Sequence, residues 1–390
     1  MTEQARSDIA VVGAGLAGLI AATDAARAGS RVTLFDTRQP GGRATSAEVR
    51  GFRFNQGAHA LYDTGAARPI LASLGVPLTG GAPALDRSRL VRAGQLHRAP
   101  DGPSSLLRTT ALSIRGKAAA GRVLARIGSF DGPRHAGETV NEWLDSQRMP
   151  DDAADLVRML VGISTYTDAP DLMSAGAGIT QAAMGLVGVT YLDGGWQRLV
   201  DALVEAATRA GVTIRDHTSV DTIGADGHRW AVASGADTIS SDAVILAGLA
   251  PLEAARLLGS TLGELGWDGM GPEVRASCLD LGVRRPAPIP ALFSVDEPLY
   301  LSTHSPPADL APEGMGVIQL LRYLAPGETP DIDTTRAQLE AHAARRPVVG
   351  PHRVSRLMLN LASRLPADAA AASGRAAAVA AVRKVTSVAP

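Results

Sequence analysis

Three glycines near the amino terminus constrain the fold of this chain more than any other feature. Gly13, Gly15 and Gly18 follow the short apolar run Ile9–Val12, and a stretch of helical composition follows them. A strand, a G-x-G-x-x-G turn and a helix in this order are typical of a βαβ unit whose helix amino terminus binds a pyrophosphate. A second apolar run of strand length, Val32–Phe35, completes the unit.

An acidic residue, Asp36, stands at the end of this second run. A carboxylate at about this distance from the glycines accepts hydrogen bonds from the ribose of an adenine dinucleotide. The motif by itself does not distinguish FAD from NAD. The sequence therefore predicts a dinucleotide site that includes Gly13, Ala14, Gly15, Leu16, Ala17, Gly18, Asp36, Thr37 and Arg38.

Composition limits the classes of protein that remain. The chain has 390 residues, of which 45% are hydrophobic and 20% are charged, so it can bury one large core or two ordinary ones. A net charge of -1 creates no field that would gather nucleic acid, and we expect no nucleic-acid partner. Cys278 is the only cysteine, which excludes an internal disulfide and favours a reducing, cytoplasmic compartment. The first apolar run is too short to cross a bilayer, and we predict neither a signal peptide nor a membrane-spanning helix.

A second glycine-rich segment, RQPGGRATS at residues 38–46, follows the acid. Its two glycines let the backbone fold against a phosphate, to which Arg43 offers a planar set of donors. Together with GAGLAG and Asp36, this segment resembles the flavoprotein superfamily that contains monoamine oxidases, protoporphyrinogen oxidase and phytoene desaturase-like dehydrogenases. The resemblance implies that the cofactor is FAD and that Gly42 and Arg43 help to hold it.

The next segment, GFRFNQGAHALY at residues 51–62, is similar to a further part of that superfamily. In the family, a glycine-led turn here brings the backbone past the isoalloxazine ring, and Gly57, Ala58 and His59 occupy this turn by position. Asn55 stands where the family often has Asp. An ordinary hairpin loop is the alternative interpretation.

The middle of the chain contains a further helix and strand that are similar to a later part of the superfamily, although a packed core without a ligand also explains them. Apolar residues between Trp196 and Ala207 recur with helical spacing, and Gly211–Val220 has the composition of a strand. The resemblance implies that this strand places Val220 against the adenine through its backbone. Asp242–Gly248 is an apolar run typical of a buried parallel strand that returns to the first sheet.

Two other regions have a different character. Residues 63–189 contain helical stretches broken by Pro and Gly and show no alternation of strands and helices typical of βαβ units. Residues 273–345 contain short apolar segments typical of an antiparallel sheet. We therefore predict an α/β fold with a three-layer Rossmann-like FAD-binding domain formed by residues 1–62, 190–272 and 346–390. The regions 63–189 and 273–345 are predicted to form an inserted α+β substrate-binding or cap domain.

Within the predicted cap, residues 104–130 lack acidic side chains and alternate basic with apolar residues. Such a stretch can lie on an anionic membrane surface. A lid over the substrate cavity with solvated arginines explains the same pattern, and we favour the lid. The oligomeric state is left open.

The carboxyl terminus departs from the family. There, the strand before the last helix ends in a Gly-Asp pair whose carboxylate holds the ribityl chain, but this sequence contains no Gly-Asp dipeptide. Leu365 and Pro366 run almost directly into an Ala-rich helix, Asp368–Val382, whose ASGRAAA resembles the family's last helix. We expect one sheet strand and one FAD contact to be missing, and the lost hydrogen bond alone would weaken affinity about tenfold to hundredfold.

Flavin enzymes transfer a hydride through the cofactor, which explains why no acid–base pair and no metal-ligand cluster stands out in the sequence. His59 is the best-placed candidate for a catalytic titratable group, although an ordinary loop histidine is the alternative. His304, Gln319 and Arg322 fall in the predicted floor strands, and strand alternation leaves their direction open.

The sequence therefore predicts an FAD-dependent oxidoreductase that removes a hydride from an apolar or small organic substrate. Neither Lys117 nor Lys384 matches the lysine that the amine-oxidase branch uses, so a phytoene desaturase-like dehydrogenase is favoured. The alternatives are a flavin-free binding or accessory protein, and a non-redox isomerase or cyclase that acts on a bound flavin.

Overall fold

The structure is a computed structural model that describes residues 6–284, 289–345, 352–363 and 367–388. Its α-helices are, in chain order, α1 Leu16–Arg27, α2 Ala67–Ser73, α3 Pro103–Arg108, α4 Ile114–Ile127, α5 Val140–Ser146, α6 Asp151–Thr165, α7 Ala175–Val187, α8 Gly195–Arg209, α9 Pro251–Leu258, α10 Ile332–Ala344 and α11 Ala367–Val388. Its first nine strands are β1 Arg6–Val12, β2 Val32–Phe35, β3 Ser46–Val49, β4 Phe52–Asn55, β5 Leu61–Tyr62, β6 Gly80–Gly81, β7 Arg89–Arg92, β8 Gln95–Arg98 and β9 Val189–Leu192. The remaining strands are β10 Thr213–Arg215, β11 Thr222–Asp226, β12 Arg229–Ser234, β13 Asp237–Leu246, β14 Val274–Arg284, β15 Ala291–Ser294, β16 Leu299–Thr303, β17 Met315–Leu324 and β18 His352–Ser363.

A six-stranded sheet in the order β10-β2-β1-β13-β12-β11 forms the nucleotide-binding half. The strands β10, β2, β1 and β13 are parallel, which confirms the predicted Rossmann-like α/β fold. Helices α1, α8 and α11 pack on one face of this sheet around buried side chains such as Leu19, Leu34 and Leu203. On the opposite face, α9 packs against the β11–β12 hairpin through Leu257 and Ile223.

Two predicted strands of this half differ from the structure in length. The strand predicted at residues 242–248 begins at Asp237, because its first half pairs with β12 before its second half joins β1. The strand predicted at residues 211–220 is limited to Thr213–Arg215, because His217 adopts a φ of 47° and turns the chain. The residues that follow form a loop beside β2.

A seven-stranded sheet in the order β18-β14-β17-β16-β15-β7-β8 forms the floor sheet of the second half. Its neighbours are antiparallel except for β15 and β7, which confirms the predicted antiparallel character of residues 273–345. Helix α10 covers one face, where Leu279, Leu301 and Leu339 are fully buried. The other face points toward the turn after β4.

The predicted domain boundaries need correction in two places. Residues 346–390 were expected to lie in the nucleotide-binding domain, but β18 pairs with β14 in the floor sheet and only α11 packs on α1. Residues 63–189 were expected to lie with 273–345 in the substrate-binding or cap domain; β7 does join the floor sheet, but α2 packs against α1 and α11. An isolated apolar run carries no information about which sheet or helix it will pack against, which explains both differences.

Helices α3 to α7 form the cap around a core that includes Trp143, Leu144 and Val157. Helix α5 starts directly after Thr139, because Thr139 and Glu142 form a reciprocal capping box. Helix α6 is terminated by the next residue, Tyr166, whose φ of 59° is left-handed. This ending places the Tyr166 side chain at the junction between the cap and the floor sheet.

Candidate cofactor and substrate site

The first glycine turn is packed so closely that no side chain fits at two of its positions. Gly13 has a φ of 102°, and a Cβ built there would lie 2.2 Å from the carbonyl oxygen of Ala247. A Cβ on Gly18 would lie 1.8 Å from the carbonyl oxygen of Gly13. These contacts join β1, α1 and the residue after β13, so the first and third glycines of the motif are required by packing.

The second glycine of the motif borders open space instead. No other part of the described chain lies within 4 Å of a Cβ built on Gly15, which precedes α1 and gives it no side-chain cap. The RQPGGRATS segment folds against this position: Gly41 forms an isolated bridge with Gly15, and its N–H donates to the Ala14 carbonyl at 2.7 Å. Uncapped helix amino termini bind phosphates through their N–H groups and dipole. The space beside Gly15 is therefore open at an uncapped helix start, the kind of position where a phosphate can bind.

Asp36 lies at the end of β2, next to the same turn. Its carboxylate accepts hydrogen bonds from the N–H of Ala14 at 2.7 Å and from the N–H of Arg38 at 2.9 Å. A carboxylate has about four acceptor positions, so these bonds leave capacity for ribose hydroxyls. On the far side, the N–H of Thr218 donates to the Asp36 carbonyl at 2.8 Å, and Val220 is buried. The loop after β10 thus closes one end of the predicted site.

The structure brings the predicted dinucleotide residues together at the carboxyl ends of β1 and β2. Arg43 lies in a 3-10 turn, Gly42–Ala44, and is exposed. Residues 13–18, Thr37 and Val220 border the same end of the sheet. Their individual roles toward a cofactor stay predictions.

Asn55 is the position where the family often has Asp, and the structure gives it a clear task. Its side chain is buried, and its Oδ1 accepts hydrogen bonds from the Ser46 hydroxyl at 2.7 Å and from the Trp196 N–H at 3.0 Å. An uncharged amide oxygen makes both bonds without burying a charge. Asn55 therefore ties β3 and β4 to the start of α8.

His59 follows the turn at Gly57 and is half-buried. Its Nδ1 lies 2.9 Å from the Gly57 carbonyl oxygen, and its ring meets the Trp196 ring edge to face, with centroids 4.8 Å apart. Since a carbonyl only accepts, Nδ1 is the donor in this bond. Burial lowers the pKa of His59, so the neutral ring is the favoured form near pH 7. Its predicted catalytic role stays a prediction.

A row of polar side chains crosses the floor sheet below this turn, and we call it the polar rung. It consists of Arg356, Asp280, Gln319 and Ser302, which face one another in register on β18, β14, β17 and β16. Asp280 is fully buried and pairs with Arg356 at 2.9 Å, although burial still raises the pKa of its carboxyl to about 6. Asp280 also accepts a hydrogen bond from Gln319 Nε2 at 3.0 Å.

The three floor residues whose direction the sequence left open have different surroundings. Gln319 is buried in the polar rung. His304 is buried too: its ring stacks on Tyr191 with centroids 3.8 Å apart, and its Nε2 lies 2.8 Å from the Ser302 hydroxyl. Arg322 instead forms an ion pair with Glu328 at 2.5 Å. Its charge is thereby neutralised by a neighbour on the chain.

Sequence reasoning missed Asp280, Arg356 and Tyr166. The tyrosine hydroxyl donates to the carbonyl of Ala58, and Tyr166 stacks on Tyr323 with ring centroids 6.3 Å apart. No local motif marks these residues, because each acts through a partner far along the chain. An acid inside an otherwise apolar strand was the one available signal for Asp280.

The carboxyl-terminal helix α11 lies across α1. A Cβ on Gly374 would lie 2.3 Å from the Ala17 carbonyl oxygen, so the two helices touch backbone to backbone. Arg375 forms an ion pair with Asp24 at 2.7 Å. Within the described residues, the second half of β13 pairs with β1 alone, and the Leu365–Pro366 junction lies outside the described residues.

The basic cap segment at residues 104–130 forms α3 and α4. Leu107 and Ile114 are 72% and 86% exposed at the corner between these helices. Arg122 and Arg126 line a cavity of about 230 Å³ between α4, α5 and α7. None of the helices that the structure describes combines the length and apolarity needed to cross a bilayer. A peripheral membrane contact through this segment stays a prediction.

Comparison with known proteins agrees with this geometry. A family model described as an NAD(P)-binding Rossmann-like domain matches residues 11–74, which contain both glycine turns. A curated phytoene dehydrogenase from Streptomyces griseus is 28% identical over 298 residues, which are 65% of this chain and 56% of the relative. The chain therefore spans about half the length of that relative.

Solved structures with the same fold cover nearly the whole chain. A double mutant of putrescine oxidase superposes with a TM-score of 0.74 at 17% identity, covering 98% of this chain and 100% of that chain. Cyclohexylamine oxidase from Brevibacterium oxydans gives a TM-score of 0.70 at 16% identity, with coverage of 98% and 100%. At identities this low, the superpositions show similarity of fold alone. With the family model and the curated relative, they confirm the resemblance to the flavin amine-oxidase-like superfamily that the two glycine turns and Asp36 predict.

Proposed function

We propose that this protein is an FAD-dependent oxidoreductase that removes a hydride from an apolar or small organic substrate. The observation that carries the proposal is the open space beside Gly15 at the uncapped start of α1, with Asp36 next to it. The relatives named phytoene dehydrogenase, putrescine oxidase and cyclohexylamine oxidase support the same class of reaction.

The residues present suit each part of FAD. The N–H groups at residues 15–18 would bind the diphosphate, and the Asp36 carboxylate would accept hydrogen bonds from the adenosine ribose. The segment at residues 42–43 would support the diphosphate from the other side, and the Val220 backbone would face the adenine. The turn at residues 57–59 would lie beside the ring. Bound FAD supplies the hydride acceptor, and this chain supplies position, shape and electrostatics.

The face of the floor sheet that points toward the turn supports an apolar or small organic substrate. Next to the polar rung, this face becomes largely apolar and aromatic, with no unpaired ionised side chain among its described members Cys278, Phe293, Tyr300, Leu321, Tyr323 and Met358. The charge of Asp280 in the polar rung is matched by Arg356. An uncharged substrate therefore loses the least hydration energy on entering this face.

The absorption spectrum of freshly purified protein, recorded before and after addition of excess FAD and removal of free cofactor, tests the proposal. We expect a flavin spectrum that bleaches when a substrate is added without an electron acceptor. Protein that stays colourless after incubation with FAD would contradict the proposal and favour the flavin-free accessory protein. A flavin spectrum without net reduction by any substrate would favour the isomerase.

The substitution Gly15→Ala makes the test specific for the proposed binding mode. Its methyl group occupies the open space beside α1 and leaves the backbone unstrained, since Gly15 has a φ of -73°. We expect FAD affinity to fall at least tenfold while the denaturation midpoint of the apoprotein stays unchanged. Gly121→Ala is the matched control, because its methyl group meets only Leu106 at 3.6 Å inside the cap. Equal FAD affinity in both variants would exclude a diphosphate beside Gly15.

A further inference from the structure

The turn between Asn55 and His59 is held by side chains from three elements far away in sequence. Arg356 on β18 donates to the carbonyl of Asn55. Gln319 Nε2 on β17 lies 3.3 Å from the Gly57 carbonyl oxygen, to which it donates. The Tyr166 hydroxyl, at the end of the cap helix α6, donates to the carbonyl of Ala58. Three carbonyls of one short turn are thus fixed by donors from both the floor sheet and the cap.

Asp280 organises two of these donors. Its Oδ1 accepts from Gln319 Nε2 at 3.0 Å, and its Oδ2 accepts from Arg356 at 2.9 Å and 3.2 Å. Both donors therefore reach the turn from fixed positions. Because the carboxylate has no solvent exposure, burying it carries a large hydration cost. A well-packed apolar rung would avoid this cost, so stability alone gives a poor explanation of the arrangement.

The third donor, Tyr166, can be compared with a neighbouring tyrosine of the same cluster. Tyr166 and Tyr323 stack on each other at the cap–floor junction, and both belong to the same buried cluster. The Tyr166 hydroxyl is bonded to the turn, whereas the buried Tyr323 hydroxyl has no hydrogen-bond partner within the described residues. The two rings share an environment, and the bond to Ala58 distinguishes them.

We propose that Arg356, Gln319 and Tyr166 are positioning residues that fix the turn at residues 55–59 against the ring of the bound flavin, and that Tyr166 couples this turn to cap helix α6. This inference rests on the proposed FAD site. The fixed turn also orients His59, since the Gly57 carbonyl that Gln319 holds is the acceptor for His59 Nδ1. A shift of α6 is thereby transmitted to the backbone beside the ring through the Tyr166 hydroxyl.

The variants Tyr166→Phe and Tyr323→Phe test the inference, because each loses one buried hydroxyl from the same cluster. In FAD-loaded protein, we expect Tyr166→Phe to shift the visible absorption bands and the reduction midpoint of the flavin. The net worth of one hydrogen bond sets the upper limit of this effect, which is about a fivefold change in the relative affinity for oxidised and reduced FAD. Tyr323→Phe is expected to leave the bands and the midpoint unchanged.

A cofactor-free measurement accompanies the spectra. Amide hydrogen exchange of a peptide spanning residues 55–60 in the apoprotein should become about fivefold faster in Tyr166→Phe and stay unchanged in Tyr323→Phe. If Tyr166→Phe fails to fold, Gln319→Met takes its place, since it keeps the side-chain length and removes the donor to Gly57.

The outcomes separate the inference from the function on which it rests. Wild-type protein that binds no FAD overturns the proposed function and the inference together. FAD binding with the same spectrum and midpoint in the wild type, Tyr166→Phe and Tyr323→Phe overturns the inference alone. Equal shifts in the two tyrosine variants overturn it as well, because they would reflect loss of a buried hydroxyl in general.

Discussion

In the turn at residues 13–18, backbone packs directly on backbone, and a Cβ on Gly13 or Gly18 would overlap a carbonyl oxygen. The turn at residues 55–59 meets its surroundings through side chains, with donors from Arg356, Gln319 and Tyr166 on its carbonyls. The turn at residues 13–18 is fixed by close backbone packing that only glycine allows, and the turn at residues 55–59 is fixed by hydrogen bonds from distant side chains.

This difference has consequences for energetics. Steric exclusion at a glycine is independent of pH and salt, because no charge takes part. The contribution of a buried carboxylate–guanidinium pair to stability depends on the protonation state of the carboxyl group. Removing either partner leaves the other as an uncompensated buried charge. The two turns should therefore respond differently to substitution and to acid.

The largest effect is expected in the polar rung. Asp280→Leu leaves the Arg356 guanidinium largely buried without its partner, and we expect the free energy of unfolding to fall by about 3 kcal/mol. The double variant Asp280→Leu with Arg356→Met should recover most of this loss, since an apolar pair carries no unpaired charge. Urea denaturation measures both values. A double variant no more stable than the single one would show that the pair itself stabilises the sheet.

Gly18→Ala should cost about 2 kcal/mol, because the added methyl group overlaps the Gly13 carbonyl oxygen and forces α1 away from β1. Gly121→Ala in α4 is the matched control and should be neutral or slightly stabilising, as alanine favours helix. Urea denaturation of both variants at pH 6 and pH 8 should give the same difference. If the difference in unfolding free energy between Gly18→Ala and Gly121→Ala changes with pH, then the glycine turn is not held by pH-independent packing and does not differ from the second turn in this respect.

The same contrast explains what the sequence could predict. The strand β1, the glycine turn, the strand β2 and Asp36 follow one another within a few dozen residues, so local spacing identifies them. Asp280 and Arg356 meet only because β18 pairs with β14, and nothing in the apolar run at residues 352–363 indicates that pairing. The assignment of that run to the nucleotide-binding domain was wrong for this reason. Gln319 was named as a candidate, but its partners lie on other strands and could not be inferred.

The pH dependence of stability tests a further buried group, the histidine His304 next to Ser302 of the polar rung. Burial lowers the pKa of His304 to about 3, whereas an unfolded histidine titrates near 6.5. As the pH falls from about 6.5, the unfolded chain takes up a proton that the folded chain refuses, so stability decreases. His304 should contribute about 1.4 kcal/mol per pH unit to this decrease.

His304→Phe keeps a ring to stack on Tyr191 and cannot titrate. The decrease in unfolding free energy between pH 6 and pH 4 should therefore be shallower in this variant than in the wild type, as measured by urea denaturation at half-unit steps. His342, whose pKa burial lowers to about 4, acts with the same sign in both proteins and cancels in the difference. Parallel pH profiles would mean that His304 takes up its proton in the folded protein over the same pH range as in the unfolded chain.

The smallest effect concerns α11, which packs on the nucleotide-binding half by both means at once. Gly374 touches the Ala17 backbone, while Arg375 bridges Asp24 at 2.7 Å and the Ser73 hydroxyl at 2.6 Å. Because this ion pair is partly exposed, Arg375→Leu should cost at most about 1 kcal/mol, and less at high salt. Arg336→Leu, which removes a surface pair with Glu340 inside α10, is the control and should be neutral. If Arg375→Leu costs more than Gly374→Ala in the same denaturation assay, then side chains rather than backbone contact hold α11 on α1, and this helix belongs with the second turn in the comparison.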